Sequence, residues 1–341
     1  DPYNIGPIGC LGVGSANVLS KKTDLALALG TKLGDFTTGS WTNFHNPDFK
    51  LVSINAARFD VTKHRATPVV SDAKIGLLEL SKVLGDWKAP DRWYQEAVKE
   101  AREWDQYVEK QSGPTNQELP SYAHAVGAVY RNADSSDIVV TAAGGLVGEV
   151  AQIWKPKQIN TFETEWGYSC MGYEISGALG IKMAKPDQEV IVFIGDGSYL
   201  LNNSDIYSSI LYEKKLIIVV CDNSGHMVIN RLQLAKGGKE YLCNLKAARA
   251  KNFIEVDFAA HAASMGAETE TVTSTSELES AFLRAKKSNK TYVIALKTHG
   301  YEWLEGTAFW ESPTLEVPSG DNNKKAYEEH KEGKEKQRKG V

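Results

Sequence analysis

Cysteine is scarce in this sequence: four in 341 residues, at positions 10, 170, 221 and 243, with no CxxC pair among them. That spacing excludes a zinc ribbon or a disulfide framework and points to a reducing, cytoplasmic setting. Long apolar runs are also missing. The longest, residues 190–194 and 216–221, fall far short of the roughly 20 residues that cross a bilayer as a helix. Neither sign of charge dominates, because 39 basic and 43 acidic residues leave a net charge of −4. Nucleic-acid and membrane partners call for a basic surplus that is not there. The start carries no basic stretch followed by an apolar run. It reads Asp-Pro-Tyr-Asn without an initiator Met, so a start further upstream is expected. There are no internal repeats. What is present is the composition of a globular protein, 42% hydrophobic and 24% charged, with length enough for two cores.

Short apolar runs alternate with amphipathic stretches, the pattern of βαβ units around a parallel sheet. In the first segment, residues 24–29, 49–54 and 68–70 read as buried strands. Residues 73–83 read as a helix with Leu77, Leu78 and Leu80 on its apolar face. A charged, Trp-rich helical stretch over 91–111 reads as a connector. A second series then has strands at 137–142, 189–194, 216–221, 253–256 and 292–297. Helices fall between them at 122–131, 173–183, 205–213, 258–264 and 276–287. The expected fold class is α/β with Rossmann-like parallel sheets. The expected division is part of a central domain over 1–88, a helical connector over 89–113, a binding domain over 114–310 and a tail over 311–341.

The chemistry concentrates between residues 190 and 225. One apolar strand runs into Gly195-Asp196-Gly197-Ser198, and a second ends Cys221-Asp222-Asn223-Ser224-Gly225. In open α/β sheets ligands lie beyond the C-terminal ends of the strands. Asp196 and Asn223 are 27 residues apart, room for one crossover, so their side chains can end on neighbouring strand tips. Magnesium takes oxygen ligands and commonly binds through one or two side chains plus phosphate and water. Asp196 offers a carboxylate, Asn223 an amide oxygen and Gly225 a backbone carbonyl. The small residues Gly195, Gly197 and Ser198 let a phosphate approach the backbone. Alone, the Gly-Asp-Gly run reads equally as a surface turn; its pairing with Asp-Asn after a second strand favours the metal reading.

Gly-Asp-Gly with an Asn at this distance resembles the signature of thiamine-diphosphate enzymes, a group that includes acetohydroxyacid synthase and pyruvate decarboxylase. The resemblance implies that Asp196, Asn223 and the Gly225 carbonyl hold Mg²⁺ against the cofactor's diphosphate, with His226 and Met227 beside them. Cys170-Met171-Gly172-Tyr173 matches the stretch whose bulky residue props the bent cofactor, here Met171. The Ser169 carbonyl matches the acceptor for the aminopyrimidine. Thr141-Ala142-Ala143-Gly144-Gly145-Leu146 matches the turn whose backbone amides (Gly144, Gly145, Leu146) wrap the far end of the diphosphate. Without the family pattern, Met171 reads as a core methionine and the double glycine as a plain turn.

The surrounding text is similar to the trihydroxycyclohexane-1,2-dione hydrolases. The similar stretches are Glu165-Trp166-Gly167-Tyr168-Ser169-Cys170-Met171-Gly172-Tyr173-Glu174, Asn55-Ala56-Ala57-Arg58-Phe59-Asp60, Gly39-Ser40-Trp41-Thr42 and Phe309-Trp310-Glu311. That resemblance implies thiamine-diphosphate- and Mg²⁺-dependent hydrolytic C–C cleavage, opening a cyclic dione to 5-deoxyglucuronate in inositol catabolism. The chain departs from the family at His226-Met227-Val228. His226 suits either a proton shuttle or a packed side chain; His124 and Gln233 are weaker candidates. Trp41, Trp154, Trp166 and Trp310 read as core or interface. The family's pyrimidine-binding domain, with its activating Glu, has no counterpart in the sequence. The chain is therefore expected to need that domain from elsewhere, in the same or a separate polypeptide, to be inactive alone, and to work as a homodimer or tetramer. An acetohydroxyacid synthase-like enzyme, a cyclohexane-1,2-dione hydrolase and a non-catalytic fragment or partner subunit stay open as alternatives. A nucleotide-binding reading of the glycines in residues 9–15 fits poorly, since they precede the first strand.

Overall fold

The computed structural model describes residues 3–248 and 252–338. It separates into two compact units, Asp1–Tyr107 with Glu305–Val341, and Val108–Leu304. The helix Asp91–Ser112 carries the chain from the first into the second. This division differs from the expected one in giving residues 311–341 to the first unit.

In the first unit, β1 (Leu25–Leu29), β2 (Lys50–Asn55) and β3 (Thr67–Val70) form a parallel sheet in that order. Burial of these strands was expected throughout, and only β2 keeps it. Leu51, Ser53 and Ile54 are buried, whereas Leu25, Leu27 and Leu29 of β1 are exposed and β3 is exposed along its length. The helix Ala73–Leu84 also departs from expectation. Its buried residue is Gly76, where a Cβ would lie 2.5 Å from Ile54 Cγ2, while Leu77 and Leu78 face solvent. A helix seated on a strand through a glycine turns its larger apolar neighbours away. A small core joins Ala28, Phe44, Phe49 and Leu51. The C-terminal helix Asp321–Glu335 buries Ala326 and Gly333, the latter under the Phe309 ring. The early glycines also serve packing: Gly14 opens the helix Gly14–Lys22 directly beneath the Trp104 ring.

The second unit is a six-stranded parallel sheet with order β5-β4-β6-β7-β9-β8. Its strands are β4 (Ile138–Thr141), β5 (Phe162–Thr164), β6 (Val190–Gly195), β7 (Ile217–Asp222), β8 (Glu268–Val272) and β9 (Tyr292–Lys297). Val190 to Ile194 and Ile217 to Cys221 have no exposed surface. A strand covered on both faces can be apolar at every position, which is why these two runs are unbroken in the sequence. Chain order reverses at β4, since β5 lies on one side of it and β6 on the other. That reversal opens a crevice beyond the C-terminal ends of β4 and β6. The strand expected at residues 253–256 is not formed; that stretch is unpaired and ends in Asp257, which caps the helix Phe258–Ser264. The edge position beside β9 belongs to β8 instead. All four cysteines are unpaired. Among the described residues no helix is long and apolar enough to cross a membrane.

Candidate functional site

β6 and β7 are hydrogen-bonded neighbours with Gly195 opposite Cys221. Asp196 therefore leaves one strand tip and Asn223 the next, on the same end of the sheet. The Asp196 side chain is buried, and its Oδ2 accepts the Gly225 N–H at 2.7 Å. Its Oδ1 is buried with no hydrogen-bond partner. Asn223 uses its Nδ2 to donate to the Tyr122 hydroxyl at 2.7 Å, and its Oδ1 is likewise buried and unpartnered. Buried polar atoms in folded proteins are nearly always paired, so two orphaned oxygens around one loop mark a site. Burial, reinforced by the adjacent Asp222, pushes the Asp196 carboxyl up to about 7. Lys297 holds Asp222 at 2.6 Å, and the Ser224 N–H caps its other oxygen at 2.8 Å. A hard divalent cation would satisfy both orphaned oxygens and remove the penalty on the carboxylate. Among the described residues no group of three or more His, Cys, Asp or Glu could hold a metal ion. A cation here would thus rely on one carboxylate, neutral oxygens and phosphate, which suits magnesium and not zinc.

The loop that carries Gly225 is braced from outside. Its Gly225 forms an antiparallel bridge with Asn244, the His226 N–H donates to the Cys243 carbonyl at 2.8 Å, and the Leu245 N–H to that of Ser224 at 2.9 Å. A side chain at Gly225 would begin 2.2 Å from the Cys243 oxygen, so the brace requires glycine there. Gly197 lies under the His226 ring: a Cβ would fall 2.6 Å from its Nδ1 and 3.5 Å from Met171 Cε. Met171, Gly197 and His226 therefore meet. Ser198 is buried in the first turn after β6. Met227 is buried beside Gly300.

The remaining candidates come from the β4 side. Gly144 has a left-handed backbone facing open space, Gly145 packs on the Trp303 ring, and Leu146 begins the helix Leu146–Ile153. The first N–H groups of such a helix have no intrahelical acceptor and favour an anion. Ser169 is tied to this side by its hydroxyl, which donates to the Ala142 carbonyl at 3.0 Å. The 165–171 loop is largely exposed, with Tyr168 at 90% and Met171 at 37%. Its shape is held by Glu165, which accepts N–H groups from Tyr168 and Cys170 at 2.8 and 3.0 Å. Those donors keep its carboxyl below the usual carboxylate range.

His124 and Gln233 stand apart from these contacts. The His124 ring closes a capping box with Ser121, and Gln233 bonds the Lys239 carbonyl. Trp154 is core, packed edge-on against Phe193, while Trp166 is half exposed. Several residues of the site escape sequence reasoning. Glu174 accepts the Ala143 N–H at 3.2 Å and the Gly172 N–H at 2.8 Å, and it also bonds Ser198. One carboxylate, pushed up by burial, so joins the β4 turn, the Met171 stretch and the β6 turn. Its signal is a glutamate in the first turn of a mostly apolar helix. Tyr122 and Trp303 lie far from the motifs in sequence, and nothing local announces them.

Comparison with known proteins agrees with this geometry. Residues 142–296 match the model described as "Thiamine pyrophosphate enzyme, C-terminal TPP binding domain", and residues 1–80 match "Thiamine pyrophosphate enzyme, central domain". A Bacillus anthracis protein named 3D-(3,5/4)-trihydroxycyclohexane-1,2-dione hydrolase is 33% identical over 96% of this chain. Proteins of the same name from Lacticaseibacillus casei and Geobacillus thermodenitrificans are 34% and 32% identical over 98% and 97% of it. In each case the chain spans 56% of the relative, about half its length. With both family domains matched in order, and with the pair of strand-tip oxygens inside the second, the chain belongs to the thiamine pyrophosphate enzymes.

Proposed function

We propose that this chain supplies the diphosphate- and Mg²⁺-binding part of a cytoplasmic enzyme that hydrolytically opens trihydroxycyclohexane-1,2-dione to 5-deoxyglucuronate, as one step of inositol breakdown. The observation that carries the cofactor half of this reading is the pair of unpartnered buried oxygens, Asp196 Oδ1 and Asn223 Oδ1, on adjacent strand tips. The substrate half is supported by the names of relatives about one-third identical across nearly the whole chain.

When bound, thiamine diphosphate would supply a carbon nucleophile for a ketone and, in its positively charged ring, an electron sink for C–C cleavage. The chain's own residues bind and orient. Asp196, Asn223 and the Gly225 carbonyl would hold the metal. Gly144, Gly145 and Leu146 would offer backbone N–H groups to the diphosphate, with the small residues Gly195, Gly197 and Ser198 leaving room for it. Met171 would support the cofactor with a flexible thioether, and the Ser169 carbonyl would accept from its pyrimidine. His226, whose ring lies against Gly197 near Met171, would serve as a proton carrier at the substrate. The exposure of Tyr168, Trp166 and Met171 on one loop supports a working form in which another surface covers it, from a second copy and from a pyrimidine-binding domain.

Titration calorimetry of thiamine diphosphate in the presence of Mg²⁺ tests the cofactor half. Asp196→Ala should weaken binding by about 100-fold or more, since even outer partners of metal ligands are worth roughly 10- to 100-fold. Unchanged affinity would refute the metal assignment. For the substrate, the assembled enzyme should open the cyclic dione and leave pyruvate uncondensed; the reverse preference would replace the hydrolase reading with a carboligase.

A further inference from the structure

We propose that Tyr122 is a positioning residue for the metal, fixing which end of the Asn223 amide faces the cation; this rests on the reading of Asn223 as a Mg²⁺ ligand. A carboxylate offers oxygen whichever way it turns, but an amide has one donor end and one acceptor end. An asparagine serves a cation only if something else holds its NH₂ group. In this protein that acceptor is the Tyr122 hydroxyl, which takes the Asn223 Nδ2 hydrogen bond at 2.7 Å and leaves Oδ1 bare. A half-turn of the amide would set N–H groups where the oxygen stands and repel the ion.

The tyrosine is itself packed in place. It is 5% exposed and is the first residue of the helix Tyr122–Asn132, whose N-terminus Ser121 caps. Its ring meets Trp303 edge-on at 5.7 Å and 84°. Its hydroxyl lies 3.6 Å from where a Gly195 Cβ would stand, so the same group reaches the tips of both β6 and β7. Packing thus fixes the phenol, and while the phenol accepts from Nδ2 the amide presents its oxygen.

The test measures Mn²⁺ affinity by electron paramagnetic resonance, in protein supplied with thiamine diphosphate, across a double-mutant cycle. Tyr122→Phe keeps the ring and its packing and removes only the hydroxyl. It should weaken Mn²⁺ binding about tenfold when residue 223 is Asn, and less than twofold in the Asn223→Asp background, where orientation no longer matters. An unchanged affinity with Asn223 present would overturn the proposal. So would an equal loss in both backgrounds, which is what a packing role produces. Asp196→Ala run alongside separates the two levels. If it binds Mn²⁺ like the parent protein, the metal site itself is wrong; if it does not, a null result for Tyr122→Phe counts against the tyrosine alone.

Discussion

Glu149 is a carboxyl without a cation in contact. It sits in the first turn of the helix Leu146–Ile153, 3% exposed, accepting the Leu304 N–H at 2.9 Å with one oxygen while the other is unpartnered. Burial raises it from 4.5 to about 7, against a weaker opposing pull from Arg231. The folded state therefore keeps a proton that the unfolded chain releases above about 4.5, and stability should fall as pH rises from there to about 7 and then level off. Glu149→Gln keeps the acceptor for Leu304 and abolishes the titration. Urea unfolding should find it more stable than the parent at pH 8, by up to about 3 kcal/mol, and nearly equal at pH 4.5. A constant difference across that range would contradict the assignment. At this scale the sequence was informative where a residue's role is stamped by its neighbours. Asp196 and Asn223 each follow an unbroken apolar strand, and a strand tip was the inference. Glu174, Glu149, Tyr122 and Trp303 take their roles from partners reached through the fold, and a chain read in order does not bring those together.

At the scale of elements, legibility followed burial. β6 and β7 are covered on both faces and announced themselves as solid apolar runs. β8, Glu-Thr-Glu-Thr-Val, is an edge strand whose alternation of charged and hydroxyl residues conceals it, and a more apolar stretch fifteen residues earlier drew the strand reading instead. The helix Leu146–Ile153 was missed because the double glycine before it reads as a turn. That turn yields a prediction. A Cβ on Gly145 would sit 2.1 Å from the Trp303 ring, whereas one on Gly144 meets nothing within 4 Å. Gly145→Ala must displace the indole or tilt the helix, at a cost of about 1–3 kcal/mol. Gly144→Ala meets only the penalty of a left-handed backbone, about 1–2 kcal/mol. Exchanging Trp303 for Leu should therefore recover stability for Gly145→Ala and none for Gly144→Ala, as read from urea midpoints. Equal recovery in both would show that the ring is not the obstacle.

Across the whole molecule, the two units differ in how completely they hide their apolar surface. The Val108–Leu304 unit has its sheet closed in by helices and confines its exposure to loops and outer helix faces. The other unit leaves Leu25, Leu27 and Leu29 of an edge strand in the open, together with Val69, Val70, Ile75, Leu77 and Leu78. Singly such residues are unremarkable, but three leucines alternating along one edge strand make an apolar row that a partner can cover. The leucine ladder of β1 makes the folded protein its own reporter. A dye such as anilinonaphthalene sulfonate, which brightens in greasy surroundings, should glow with the native chain before any denaturant is added. Leu27→Lys should dim it without lowering the unfolding free energy by more than about 0.5 kcal/mol. Any polypeptide that docks on the ladder should quench the signal as it arrives, turning a bare strand into a fluorescent assay for docking.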